Sequence, residues 1–208
     1  MLQKIISLLL SVGAAVILTG GVETQIASSP VPLISESSIP IVMPDRLENP
    51  EIHYVPNYDV PLEYEVQEYI WKMCQENSIS YELVLALIQA ESSFKIDVVS
   101  KTNDHGLMQL NATNTMDWLA DKVGISEFDP LDPYHNVSAG IWYLLYLRDY
   151  WDQYGLGQEN AIVWILLSYN RGITGAKNYA AAGNVPIQDR YVQKVLGYKY
   201  ELEEQERR

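Results

Sequence analysis

Residues 86–94 read ALIQAESSF and residues 104–110 read DHGLMQL, and the rest of the chain is interpreted around these two stretches. Around the first stretch, apolar side chains recur at helical spacing and predict a helix. Its buried face holds two adjacent rows, Leu83, Leu87 and Ala90 in one and Val84, Ile88 and Glu91 in the other. Glu91 therefore ends the helix at the border of its buried face. A turn led by Gly106 is expected to bring the second stretch back beside this carboxyl group, in a partly dry cleft.

The position of Glu91 makes it a candidate general acid. Ser80 can cap the other end of the helix, and Glu82 adds negative charge to the first turn. At the Glu91 end the helix dipole is negative and apolar neighbours desolvate a charged carboxyl, so both effects raise the pKa of Glu91. A carboxyl group that stays protonated near neutral pH can donate to a leaving oxygen, as glycosidic cleavage requires. On these residues alone, the alternative is a solvated glutamate at a helix end.

The rest of the folded part also has helical periodicity. No alternation of period 2 lasts long enough for a major strand, so the sequence predicts an all-α domain, α+β at most. Any β structure is expected in an irregular loop region near residues 95–112. Asn136 is expected to cap a long helix that Gly155 ends. The other predicted helices cover residues 61–76, 113–123, 161–169, 172–182 and 190–200.

The N-terminal quarter of the chain differs in composition. Lys4 precedes an uncharged apolar run, so residues 1–22 are predicted to be a signal peptide or membrane anchor, with the remainder exported and facing outside. Seven of the ten prolines lie between Pro30 and Pro61, which predicts an extended Pro-rich linker over residues 23–60. The folded domain is expected to span residues 61–200. Residues 201–208 form a charged tail that is expected to fray.

Charge and composition exclude several classes of function. The net charge of −13 disfavours nucleic acid as a partner, because phosphates would repel the chain. The single cysteine, Cys74, excludes an internal disulfide framework. Three histidines without ligand spacing and without a cysteine partner predict no metal site, and no motif indicates another cofactor.

Several short motifs in a fixed order resemble those of the soluble lytic transglycosylase family within the lysozyme-like superfamily. The resemblance covers roughly residues 62–200, and five motifs in order are far more specific than any one of them. The matching residues are 91–94 (ESSF), Ser100, 106–110 (GLMQL), Asp132, Pro133, Asn136, 168–172 (SYNRG) and 191–195 (YVQKV).

The resemblance implies an activity and a set of site residues. Glu91 falls on the family's single catalytic acid/base, and Met108 and Gln109 on the loop that lines its cleft. Tyr169 and Asn170 fall on the pair that holds the catalytic carboxyl and the acetamido group of the sugar, and Tyr191 on a tyrosine near the cleft. The implied substrate is peptidoglycan, cut at the β-1,4 bond between N-acetylmuramic acid and N-acetylglucosamine to leave a 1,6-anhydro end.

Two other interpretations stay open. Residues 102–106 (TNDHG) resemble the segment of animal lysozymes that supplies their second carboxylate, so Asp104 can serve a hydrolase of the lysozyme type. The simpler role for Asp104 is to cap the turn before Gly106. A hypothesis of another class is an inactive glycan-binding or scaffolding domain tied to a membrane machine, against which the retention of Glu91 argues.

Overall fold

A computed structural model describes residues 40–43, 55–56, 58–113 and 115–207 of the chain. Its central element is helix α2, Tyr81–Glu91, which is buried without interruption from Leu83 to Ile88. Ser80 caps α2 as the sequence predicted, since its hydroxyl accepts from the backbone N–H of Leu83 at 3.1 Å. Six residues of an eleven-residue helix thus lie in the apolar interior, which fixes the position of Glu91 at its end.

The last helix packs most extensively against α2, and the helix that precedes α2 also contacts it. The bounds of the other elements are α1 Tyr64–Glu76, strands β1 Asp104–His105 and β2 Leu110–Asn111, α3 Met116–Val123, α4 Pro133–Asp152, α5 Gln158–Ala181, a 3-10 turn Pro186–Gln188 and α6 Arg190–Glu206. The prediction of a helical domain is confirmed.

The β structure is one short hairpin. Strands β1 and β2 pair antiparallel with Asp104 opposite Asn111, and Val99 adds an isolated bridge to His105. The hairpin lies within the loop region predicted from the sequence. The hairpin carries residues 104–110 back towards the end of α2.

Helix α4 does not begin as predicted. Asp132 is its N-cap, and its Oδ1 accepts from the backbone N–H groups of Tyr134 and His135, while Pro133 occupies the first helical position. Asn136 lies inside the first turn, so its assignment as the cap is wrong. The helix also ends at Asp152, three residues before the predicted stop.

The C-terminal helices are longer than expected. The two helices predicted on either side of residue 171 are joined in α5 by a kink at Gly172, whose φ of 70° lies in the left-handed region. Helix α6 continues to Glu206, because Leu202 is buried against the core. The charged residues after Tyr200 are therefore helical through Glu206.

Part of the predicted linker lies against the domain. The side-chain amide of Asn77 pairs with the backbone N–H and C=O of Val42 at 3.0 and 2.9 Å. Tyr58 is buried and donates to Glu82 at 2.8 Å. The predicted signal peptide or anchor, residues 1–22, lies outside the described residues. Within the described ranges, no helix has both the length and the apolar character needed to cross a bilayer.

Candidate active site

Glu91 ends α2 beside a sharp change of chain direction. Ser92 is the C-cap, and the next two residues, Ser93 and Phe94, have φ values of 53° and 63°. Non-glycine residues seldom adopt this region, and two in succession turn the chain away from the helix axis. Phe94 is buried and anchors the turn. The carboxyl group of Glu91 is thereby left partly buried at the start of the loop region.

Two residues of α6 hold the end of α2. The hydroxyl of Tyr191 donates a hydrogen bond to Oε1 of Glu91, and Nζ of Lys194 donates to the carbonyl of Ala90 at 2.6 Å. Both contacts span about a hundred residues of sequence. Since Tyr191 contacts only one carboxyl oxygen, the second stays available for chemistry.

Burial raises the pKa of Glu91 to about 7. The hydrogen bond from Tyr191 and the positive charge of Lys194 act in the opposite direction, and the negative charge of Asp104 adds to the rise. The sequence predicted a raised pKa, and desolvation, one of the two causes it gave, is the dominant one. A carboxyl group with this pKa is protonated in about half of the molecules at neutral pH and can act as an acid and then as a base.

The loop that faces Glu91 is held by Asn136. This residue is fully buried, accepts from the N–H of Met108 at 2.8 Å, and donates to the carbonyls of His105 and Pro130, both at 2.9 Å. A Cβ at Gly106 would lie 2.5 Å from the Asn136 amide, so the close approach requires glycine. Sequence reasoning placed Asn136 in a motif but gave it the role of a helix cap.

Met108 and Gln109 serve the loop itself. The side chain of Met108 is fully buried and packs on Gly140, so Met108 belongs to the loop through its backbone and its packing. The amide of Gln109 donates to the carbonyls of Val98 and Gly106 at 3.2 and 2.9 Å. Both residues therefore fix the shape of the loop.

Tyr169 and Tyr191 have different hydrogen-bond partners. Tyr169 donates to the carbonyl of Met108 at 2.8 Å, so its hydroxyl ties α5 to the loop and is not bonded to the Glu91 carboxyl group. That contact belongs to Tyr191, which the resemblance placed only near the cleft. Asn170 follows Tyr169 at the surface, where it lines a pocket that also includes Tyr191.

Asp104 is the centre of a hydrogen-bond cluster in the hairpin. Its Oδ2 accepts from Ser100 at 2.7 Å and from Thr102, and its Oδ1 accepts from Asn111 at 2.7 Å. Partial burial opposes ionisation, but the three donors outweigh it and lower the pKa of Asp104. The structure thus presents one ionised carboxylate and one that is readily protonated, with the first raising the pKa of the second.

In the described part of the chain, no group of His, Cys, Asp and Glu side chains is arranged to hold a metal ion. The arrangement around Glu91 can instead supply acid and base catalysis from a single side chain. Fold and site together define a helical domain of the lysozyme-like class.

The comparisons with known proteins identify the family. A family model described as the transglycosylase SLT domain matches residues 68–188, more than half of the chain. The chain belongs to the transglycosylase SLT domain family.

Two solved structures of lytic transglycosylases share the fold. A complex of the 70-kDa soluble lytic transglycosylase with bulgecin A is 24% identical with a TM-score of 0.53, over 67% of this chain and 24% of that chain. An inactive mutant of lytic transglycosylase Slt from Pseudomonas aeruginosa is 21% identical with a TM-score of 0.53, over 65% of this chain and 23% of that chain. The 70 kDa soluble lytic transglycosylase from Escherichia coli is 25% identical with a TM-score of 0.47, over 58% of this chain and 21% of that chain. The chain thus spans less than a quarter of each of these proteins.

Proposed function

We propose that this protein is a peptidoglycan lytic transglycosylase that cuts the β-1,4 bond between N-acetylmuramic acid and N-acetylglucosamine. The observation that carries the proposal is Glu91, a partly buried carboxyl group with a pKa of about 7 at the end of the central helix. Membership of the SLT domain family supports the substrate class, since the related solved structures are named as lytic transglycosylases.

In the proposed mechanism, the protonated Glu91 donates its proton to the bridging oxygen as the C1–O bond breaks. The 2-acetamido oxygen of the muramic acid supports the positive charge at C1, so the protein supplies no nucleophile. The ionised Glu91 then removes the proton from the O6 hydroxyl, and O6 closes on C1 to give the 1,6-anhydro end. Glu91 returns to its protonated state, so the proton balance of the cycle is closed.

The surrounding residues have distinct roles in this proposal. Tyr191 holds Oε1 of Glu91 and aims the free oxygen at the bond. Tyr169 and Asn136 hold the loop that forms the opposite wall through Met108. Asn170, exposed at the edge of the groove, supplies an amide for the acetamido group of the sugar.

A muramidase of the lysozyme type is the second candidate, and the state of Asp104 favours it. An ionised carboxylate that raises the pKa of a nearby acid is the pattern by which two carboxylates take separate roles in glycoside hydrolysis. In that reaction Asp104 would stabilise charge at C1 and water would attack. The three hydrogen bonds that keep Asp104 ionised also explain it as the organiser of the turn.

We also propose that the domain works outside the cell. The apolar run within residues 1–22 would export the chain or anchor it in the membrane, and the Pro-rich residues 23–60 would let the domain over residues 61–200 reach the glycan strands of the wall.

The test combines zymography with mass spectrometry of the glycan ends. Wild type and Glu65→Gln, a matched change of an exposed glutamate in α1, should clear peptidoglycan, and Glu91→Gln should not. Anhydro ends support the lytic transglycosylase, whereas reducing muramic ends, heavier by one water, support the muramidase. Clearing by Glu91→Gln at the wild-type rate, or no clearing by any of the three proteins, would contradict an enzyme built on Glu91.

A further inference from the structure

Two side chains on one face of α6 meet the end of α2. Tyr191 and Lys194 are three residues apart, and residues at this spacing are neighbours on a helix surface. Val192 and Val195 of the same helix are fully buried, so this part of α6 is held against the core. The hydroxyl of Tyr191 reaches the carboxyl group of Glu91, whereas the ammonium group of Lys194 reaches the backbone one residue earlier. The proposed proton transfers give Lys194 no role.

The ammonium group of Lys194 lies at the negative end of the α2 dipole. Its Nζ donates to the carbonyl of Ala90 at 2.6 Å, and this carbonyl belongs to the last turn of the helix, where carbonyls lack the amide partners of the helix interior. A cation at this end of a helix is stabilising. Because Ala90 directly precedes Glu91, the contact also brings a positive charge close to the carboxyl group.

Lys194 is the one cation among the described groups that shift the pKa of Glu91. Burial raises this pKa most, and the negative charge of Asp104 in the hairpin raises it further. Tyr191 lowers it through a hydrogen bond, and Tyr169 of α5 also faces the carboxyl group, since the charge of Glu91 raises the pKa of that tyrosine. Both phenols are uncharged at neutral pH. The positive charge near Glu91 therefore comes from Lys194.

The proposed acid step creates a charge that the surroundings of Glu91 disfavour. When Glu91 donates its proton to the bridging oxygen, a carboxylate forms in a partly buried position close to Asp104. Groups that are already in place and aimed at a developing charge lower the barrier to its formation. A positive charge held beside the new carboxylate therefore makes Glu91 a stronger acid towards a leaving sugar.

We propose that Lys194 is a positioning residue for the acid step, which holds the last turn of α2 and stabilises the carboxylate that forms as Glu91 gives up its proton. The proposal rests on the proposed function, because only a Glu91 that acts as an acid passes through this charged state. The proton of Glu91 moves to the bridging oxygen as the C1–O bond breaks, and Lys194 keeps its own protons. Because Lys194 is exposed, its effect is modest and depends on salt.

Titration of Glu91 separates the charge of Lys194 from its hydrogen bond. Lys194→Gln keeps an N–H donor but removes the charge, Lys194→Arg keeps both, and Lys122→Gln is a matched change in α3. By carbon-13 NMR of the carboxyl group, the midpoint should lie at higher pH in Lys194→Gln than in the wild type, and the other two variants should keep the wild-type value. Raising the salt from about 0.05 M to about 1 M should bring the two midpoints closer together, because salt screens exposed charges.

Kinetics with two leaving groups tests the acid step itself. One substrate is a soluble oligosaccharide of N-acetylglucosamine and N-acetylmuramic acid, and in the other nitrophenol replaces the leaving sugar. Nitrophenolate is a stable anion that leaves without a proton, so it needs no general acid. At about pH 5, below the midpoint of about 7, Lys194→Gln should lower kcat about threefold on the oligosaccharide and leave it unchanged on the nitrophenyl substrate. Lys194→Arg should restore kcat on the oligosaccharide.

Three results would overturn the proposal. They are equal midpoints in the wild type and Lys194→Gln, a raised midpoint that does not respond to salt, and an equal loss of kcat on both substrates.

The titration needs no turnover, so it separates this proposal from the proposed function. If no protein releases anhydro ends but the midpoint of Lys194→Gln is raised and salt-sensitive, the assignment of the reaction fails and the charge coupling between Lys194 and Glu91 stands. If the wild type releases anhydro ends and the midpoints are equal, the role of Lys194 alone fails.

Discussion

Replacing Glu91 by glutamine should stabilise the protein at neutral and alkaline pH and not at acid pH. Burial raises the pKa of this carboxyl group, so the folded state favours its protonated form and pays a penalty when it ionises. Glutamine keeps an oxygen that can accept from Tyr191 but carries no charge at any pH. The substitution therefore removes the penalty and leaves most of the packing.

The size of the effect follows from the pKa. It rises from 4.5 to about 7 on folding, and about 1.4 kcal/mol per unit gives a penalty of about 3 kcal/mol for the ionised form. Because the folded pKa is raised, the stabilising contribution of the protonated Glu91 is fully present below pH 4.5 and is lost as the pH rises through about 7. Glu91→Gln should thus gain about 3 kcal/mol over the wild type at about pH 8 and almost nothing at about pH 4.

Urea unfolding of both proteins at the two pH values, at equal m-values, measures this difference. Glu65→Gln, the exposed glutamate of α1, is the control and should follow the wild type at both. At each pH, the free energy of unfolding of the wild type is subtracted from that of Glu91→Gln. The value at about pH 8 minus the value at about pH 4 is the result that matters, because the packing effects of the substitution are the same at both pH values and cancel. If the stability difference between Glu91→Gln and the wild type is the same at both pH values, the claim that Glu91 is desolvated is refuted.

Three further substitutions test the site. Tyr191→Phe removes a hydrogen bond that lowers the pKa of Glu91, so the pKa of Glu91 should rise. The alkaline limb of the pH–rate profile, where the acid loses its proton, should therefore move to higher pH, and movement to lower pH would contradict the contact. Gly140→Ala should lower the free energy of unfolding by about 1–3 kcal/mol, because its Cβ would lie 2.2 Å from the buried sulfur of Met108. The control Gly197→Ala, whose Cβ meets nothing within 4 Å, should raise the free energy of unfolding by about 1 kcal/mol. Equal shifts of the melting temperature in the two variants would contradict this packing. Asp104→Asn should leave anhydro ends as the product and lower the pKa of Glu91, and loss of all activity would favour the muramidase instead.

The helix that carries Glu91 could be predicted because its information is local. Apolar side chains at helical spacing and a serine cap define α2 without reference to the rest of the chain. In the same way Gly124 ends α3 in the left-handed conformation expected of a glycine stop. The raised pKa of Glu91 was also predicted from local features, since apolar residues of its own helix precede it, and burial is its dominant cause in the structure.

The contacts that complete the site could not be predicted from spacing. Tyr191 lies a hundred residues from Glu91, and no period in the sequence connects them. Asn136 looks like a cap because an amide at the start of an apolar run commonly is one, but Asp132 followed by proline forms a better start one turn earlier. The amide of Asn136 was then free to bind loop groups about thirty residues away.

The resemblance did not determine which of two tyrosines contacts Glu91. Tyr169 and Tyr191 both lie near the carboxyl group, and each has a pKa raised chiefly by burial, with the charge of Glu91 contributing. Only the packing of α6 against α2 decides which hydroxyl reaches the acid. A motif fixes the residue type, whereas the partner of its hydroxyl depends on the tertiary arrangement.

The central claim is that Glu91 is a desolvated acid that is protonated in a large fraction of molecules near neutral pH. Carbon-13 NMR of the side-chain carboxyl groups, with Glu91→Gln used to assign the resonance, measures its titration directly. The account predicts a midpoint at about pH 7 for this one resonance. A midpoint at the ordinary glutamate value of 4.5 would contradict it, and the proposed acid and base roles of Glu91 would fail with it.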